Sequence, residues 1–253
     1  MLDLIALPVW VGALVERFGF SPQQAGGLAT LFLLGAVAAS AFAAHRFNLV
    51  NQRIVATGGF ALAALSFMLA STQSGFGPLA VLHLTAGISV GAALSMVHGT
   101  MGHADNPHRL FATAGIAIGL FGIVLLGAIP QLLISHGGPV MFQVFGGVMT
   151  LAALACALLF RNPLSAQAET LPTFGRAAWF TIFGISVMTF NQAMVFSFVE
   201  VIGKSRGFDP DNVLGVLFAL GIVNFVLPSP LAALLLFCFP ATVVVQIGLV
   251  VLF

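Results

Sequence analysis

From Gln24 to Ala44 the chain carries no Asp, Glu, Lys or Arg, and the same holds over Ile54–Ala70 and Pro78–Met101. Runs of this kind admit few folds. A backbone N–H or C=O without a partner in hydrocarbon costs several kcal/mol, so only helices and closed barrels cross a bilayer, and a helix needs about 20 apolar residues to cover roughly 30 Å. Long uninterrupted apolar runs therefore mean helices. With 60% hydrophobic residues, 6% charged residues and a mean hydropathy of +1.12, the chain falls far below the roughly 25% charge of a soluble domain. The expectation is an all-α integral membrane protein whose partner is the lipid bilayer. A net charge of +1 offers nothing to a nucleic acid.

About nine spans are expected: Leu2–Val15, Gln24–Ala44, Ile54–Ala70, Pro78–Met101, Leu110–Ile134, Pro139–Phe160, Ala177–Val199, Asn212–Phe237 and Ala241–Phe253. The first and last are too short to cross unaided. Between the sixth and seventh lies the one long polar segment, Arg161–Arg176, RNPLSAQAETLPTFGR, which reads as a hinge. The chain thus divides into an N-terminal bundle of six helices over 1–160, a hinge loop over 161–176, and a partial C-terminal bundle of about three helices over 177–253.

A repeated phrase supports two related halves. Gly19-Phe20-Ser21-Pro22 before the second span reappears as Gly207-Phe208-Asp209-Pro210 before the eighth. In each copy a side-chain oxygen stands at a helix N-cap, and proline follows at the first helical position, where its missing N–H is harmless. Both turns are predicted helix starts. A related pair, Leu31-Phe32-Leu33-Leu34-Gly35 and Leu217-Phe218-Ala219-Leu220-Gly221, follows with a slip of two residues. Internal repeats about a polar hinge are a recurring transporter signature. Carried back by the same offset, the start of the seventh span falls before Met1, and the ninth span reaches Phe253 without a polar stop. The expectation is a chain truncated at both ends, with no cleavable signal peptide.

With the hinge inside, the inner loops hold Arg46, Arg53, Arg109, Arg161 and Arg176 and the outer loops Arg17, Lys204 and Arg206. The excess inside sets the orientation, and a bacterial cytoplasmic (inner) membrane is the expected location. Small residues at four-residue spacing let helices approach closely in lipid. Gly87, Gly91, Ser95 and Gly99 form such a stripe, echoed by Gly115 and Gly119 and by Gly35, Ala39 and Ala43. Packing is their expected role.

Taken with the span count, hinge and repeat, the whole chain resembles the major facilitator superfamily, whose members join two six-helix bundles by a cytoplasmic loop. Where that family carries a G-x-L-a-D-r-x-G-r-r motif between its second and third spans, this chain reads Ala41 to Arg53 and keeps the basic character, with His45 near the position of the acid. Its fourth span, His83-Leu84-Thr85-Ala86-Gly87-Ile88-Ser89-Val90-Gly91, is similar to R-x-x-q-G-x-g-a-A with His83 in place of arginine. The fifth, Gly115 to Gly122, keeps the glycines of an antiporter-type motif without its proline. The resemblance implies a secondary transporter working by alternating access.

Ionisable groups within a bilayer mark function by default, and here they are scarce. His83 can tie its helix to a neighbour as a neutral ring, or take up a proton in transport; both readings stand. Asn191 and Gln192 are adjacent amides that point about 100° apart on a helix, so at least one is expected to face the bundle interior. Asn224 and Gln143 are weaker candidates of the same kind. His83, Asn191, Gln192 and Asn224 are thus the candidate path of an unidentified small solute, with or without protons, and His83 and Asn191 are expected to share one cavity. Glu16 and Glu200 sit at span ends, where water reaches them. Cys156 and Cys238 lie in apolar runs without a partner motif, and no metal cluster, nucleophilic triad or carboxylate pair points to an enzyme or a cofactor. Two other readings remain open: a passive facilitator or channel, and a non-transporting membrane scaffold.

Overall fold

The computed structural model describes residues 2–163 and 175–209 and, beyond them, positions 212, 213, 215, 216, 219 and 223. Every element in the described residues is helical: α1 (Leu2–Glu16), α2 (Pro22–His45), a short 3-10 turn (Phe47–Leu49), α3 (Gln52–Ala70), α4 (Phe76–Gly102), α5 (Pro107–His136), α6 (Pro139–Leu159) and α7 (Arg176–Ser205). These correspond to the first seven expected spans. Five of them, α2 to α6, are long and apolar enough to cross a membrane. The ninth expected span, all but a few positions of the eighth, and residues 164–174 of the hinge lie outside the described residues.

Local chemistry sets the helix starts. Ser21 accepts from the backbone N–H of Gln24 at 3.2 Å, and the Gln24 side chain accepts from the Ser21 N–H at 3.0 Å, a reciprocal cap with Pro22 at the first helical position. Asn51 caps α3 and Asn106 caps α5, each at 3.1 Å. The repeated phrase also repeats in conformation. Gly19 (φ +69°) and Gly207 (φ +79°) both adopt the left-handed region that closes a helix. Ala25 N–H donates to Ser21 at 2.9 Å, and its counterpart Val213 N–H donates to Asp209 at 3.1 Å. One turn is used twice, once after α1 and once after α7.

In lipid no hydrophobic force draws helices together, so close backbone approach and hydrogen bonds must do so. Helix α4 lies between α2 and α3, α3 packs on α6, and α1 packs on α7, α5 and α2. At the α2–α4 contact a Cβ on Gly87 would collide with the Phe32 backbone, and one on Gly91 with that of Ala36. Ser40 Oγ donates to the Gly91 carbonyl at 2.9 Å, and Ser95 Oγ donates to that of Ser40 at 3.2 Å. The stripe in α4 is a packing seam. Several other hydroxyls are satisfied within their own helix, as in Ser66 to Leu62, Thr85 to Val81 and Thr150 to Gly146.

The helices alternate in direction. At one end, the α2–α3 connection meets the close of α6: Arg53 N–H donates to Asn162 Oδ1 at 2.9 Å, the Arg53 guanidinium donates to the Ala157 carbonyl, and Asn162 Nδ2 donates to Asn51 Oδ1 at 3.1 Å. Phe47 stacks on His103 at the foot of α4 at this same end. At the other, Phe18 meets Phe142 at the head of α6, and Phe20 meets Phe76 at the head of α4. Arg46, Arg53 and Arg161 therefore share one end, and Arg17 lies at the other.

Candidate functional site

Apart from the α2–α4 seam, two places among the described residues bring polar side chains and aromatic rings together from several helices. The first centres on His83, 1% exposed, on α4. A carbonyl only accepts, so the 2.7 Å contact to Leu79 O puts the ring proton on Nδ1 and makes Nε2 an acceptor in the neutral ring. The ring stacks on Trp10 of α1, centroids 5.4 Å apart, and meets the edge of Phe142 of α6 at 5.5 Å. Phe32, Phe67 and Phe145 complete the box, each edge-on to Trp10 at 5.3, 6.2 and 5.4 Å. Edge-to-face pairs set ring hydrogens against π-faces and contribute about 0.5–1.5 kcal/mol each. His83 Nε2 and Trp10 Nε1 find no hydrogen-bond partner among the described residues. Five helices meet here, and sequence periodicity offered no sign of Trp10's part, because α1 is apolar on every side: Ala6 to Leu14 are all buried.

The second place is a cavity of about 560 Å³ between α1, α2 and α7. Each helix contributes one stripe. Leu7 and Val11 are one turn apart on α1. Gln23, Gly26, Gly27 and Thr30 follow a helical stripe on α2, and Phe190, Met194, Ser197 and Phe198 do so on α7. The glycines give the space: at Gly27 a Cβ would meet nothing within 4 Å, and at Gly26 it would meet Phe198 Cζ at 3.1 Å. Phe198 thus rests on α2 at one edge of the cavity. The stripes lie in the half of the bundle away from the Arg46–Arg53 end.

Among the described residues, His83 and Asn191 lie in different places. His83 lines the aromatic box and not the cavity. Asn191 is exposed and lies next to the cavity stripe without joining it; Phe190 and Met194, which line the open side of the cavity, are exposed as well. The common cavity expected for His83 and Asn191 is not seen among the described residues: His83 on α4 sits against rings of α1, α3 and α6, while Asn191 is on α7, which packs on α1. The backbone of Gln192 belongs to α7, and Asn224 lies outside the described residues. Gln143 is exposed on α6. Cys156 is half-buried and packs with the core. No three His, Cys, Asp or Glu converge as a metal site among the described residues. Gln23, Thr30 and Ser197 were missed by sequence reasoning; the signal that could have found Gln23 and Thr30 is the polar and glycine stripe that starts at the first copy of the repeated turn, and Ser197 on α7 carries no such signal.

Comparison of the chain with protein-family models and with curated proteins returns no match.

Proposed function

We propose that the chain is a secondary transporter of the cytoplasmic (inner) membrane that moves a small solute by alternating access, built as a six-helix half and part of a second, about nine helices in all. The observation that carries this reading is the duplicated turn. Gly19–Pro22 and Gly207–Pro210 share a left-handed glycine and, in Ser21 and Asp209, the carbonyl that takes the first helical hydrogen bond, one on each side of a polar linker. Related halves joined in this way rock about a site at their junction. The cavity between α1 and α2 on one side of the linker and α7 on the other occupies such a junction. The major facilitator superfamily is the pattern this proposal follows, with Arg46, Arg53, Arg109, Arg161 and Arg176 on the cytoplasmic face.

The test places a single cysteine at Thr30 in a Cys156→Ser, Cys238→Ser background. A membrane-impermeant thiol reagent is then applied from either side of reconstituted vesicles. Alternating access expects labelling from both sides and no conductance in planar bilayers. A continuous pore expects conductance, and a scaffold expects no access from the cytoplasmic side; either result would replace the proposal. Orientation is checked separately: a cysteine at Asn48 should react only from the cytoplasm and one at Ser74 only from outside.

A further inference from the structure

We infer that the cavity between α1, α2 and α7 takes an uncharged amphipathic molecule, with an apolar body and one or two hydrogen-bonding groups. This rests on the proposed transport reading for the site and adds the class of solute. Among the described residues the cavity's lining contains no Asp, Glu, Lys, Arg or His. A charged ligand would leave water to meet no counter-charge, a penalty that an isolated ion does not recover in an apolar site. The polar groups are a side-chain amide and two hydroxyls, Gln23 and Thr30 on α2 and Ser197 across from them on α7. Phe190, Met194 and Phe198 supply an apolar wall along α7, with Leu7 and Val11 on α1. A volume of about 560 Å³ lies within the roughly 300–1,000 Å³ of sites that enclose small organic molecules. The open space over Gly27 is where the body of the molecule fits, because no neighbouring atom would meet even a methyl group there.

The matched probes are N-phenyl-1-naphthylamine, which is neutral, and 8-anilinonaphthalene-1-sulfonate, which carries a sulfonate on the same aryl-amine skeleton. Saturable binding of each labelled probe to the immobilised full chain is measured by scintillation proximity. The neutral probe should bind at least about tenfold more tightly than the anion, a difference of about 1.4 kcal/mol. Gly27→Trp should abolish the saturable component, and Gly77→Trp, at the head of α4 and equally open, should leave it intact. Thr30→Val should weaken binding by roughly fivefold, the effect of one lost neutral hydrogen bond. Equal binding of the two probes, or binding indifferent to Gly27→Trp, overturns the inference. So does a phospholipid that co-purifies with the parent chain and is lost in Gly27→Trp when the neutral probe fails to bind, which assigns the cavity to lipid. Absence of both probe and lipid assigns it to another part of the chain and overturns the inference equally. The two readings separate in vesicle uptake. Binding of the neutral probe without its movement removes the transport reading and keeps the ligand class; uptake of the anion alone does the reverse.

Discussion

The aromatic box around His83 and the cavity between α1, α2 and α7 are both walled by phenylalanines, and both include polar atoms. They differ in how much room the neighbouring helices leave. Beside the box, Gly87 and Gly91 are in contact with the backbone of α2, and every ring is buried. Around the cavity, Gly27 faces open space, and Gln23 and Thr30 are exposed. Glycine therefore serves opposite ends in one bundle: on α4 it lets two backbones touch, and on α2 it keeps a side chain out of a space. A polar group in a span is available to a solute only in the second setting. His83, enclosed on all sides by rings from other helices, belongs to the first.

The largest effect should come from closing the tight side. Gly87→Leu drives a side chain into the Phe32 backbone and should remove about 3 kcal/mol or more, enough to abolish folded protein; detergent size-exclusion yield near the parent level would show the seam to be loose. Trp10→Ala comes next. It empties the centre of the box, and a large aromatic lost from a packed core costs about 3–5 kcal/mol, read as a fall in the thermal unfolding midpoint. An unchanged midpoint would mean that the five helices do not depend on that ring.

His83→Phe is expected to lie within about 1 kcal/mol of the parent, because the loss of the bond to Leu79 is offset by removal of a buried Nε2 without a protein partner. A severe loss of stability would make His83 a tether of the bundle. The smallest effect belongs to the open side. Gly27→Ala adds a methyl to empty space on a helix and should raise stability slightly, by up to about 1 kcal/mol, through the better helix propensity of alanine. A loss there would show the cavity to be filled in the folded protein.

These contrasts also mark what the sequence could and could not disclose. The first seven span positions, the cap at Ser21, the paired turns and the α4 seam depend on residues near one another in the chain and were legible; the caps at Asn51 and Asn106 depend on equally local residues but were passed over. Comparable depth was the ground for pairing His83 with Asn191, but depth fixes height along a helix and says nothing of the direction faced. Helix α7 turns Phe190, Met194 and Phe198 toward the cavity, and Asn191 follows Phe190 at about 100° around the helix axis. Only neighbouring helices decide which stripe is inside. Trp10 escaped notice for a related reason: a helix buried on all sides has no polar face to orient it.

The junction of Asn51, Arg53 and Asn162 has a mechanical consequence. The linker departs just beyond Asn162, whose amide is made fast to the head of α3 in both directions, while Arg53 reaches across to the last turn of α6. A pull transmitted along the linker therefore does not fall on the frayed end of one helix. It is taken up by α3 and α6 together, like a rope belayed to two posts. Any torque that arrives at Asn162 therefore reaches α3 and α6 as rotation of a braced pair.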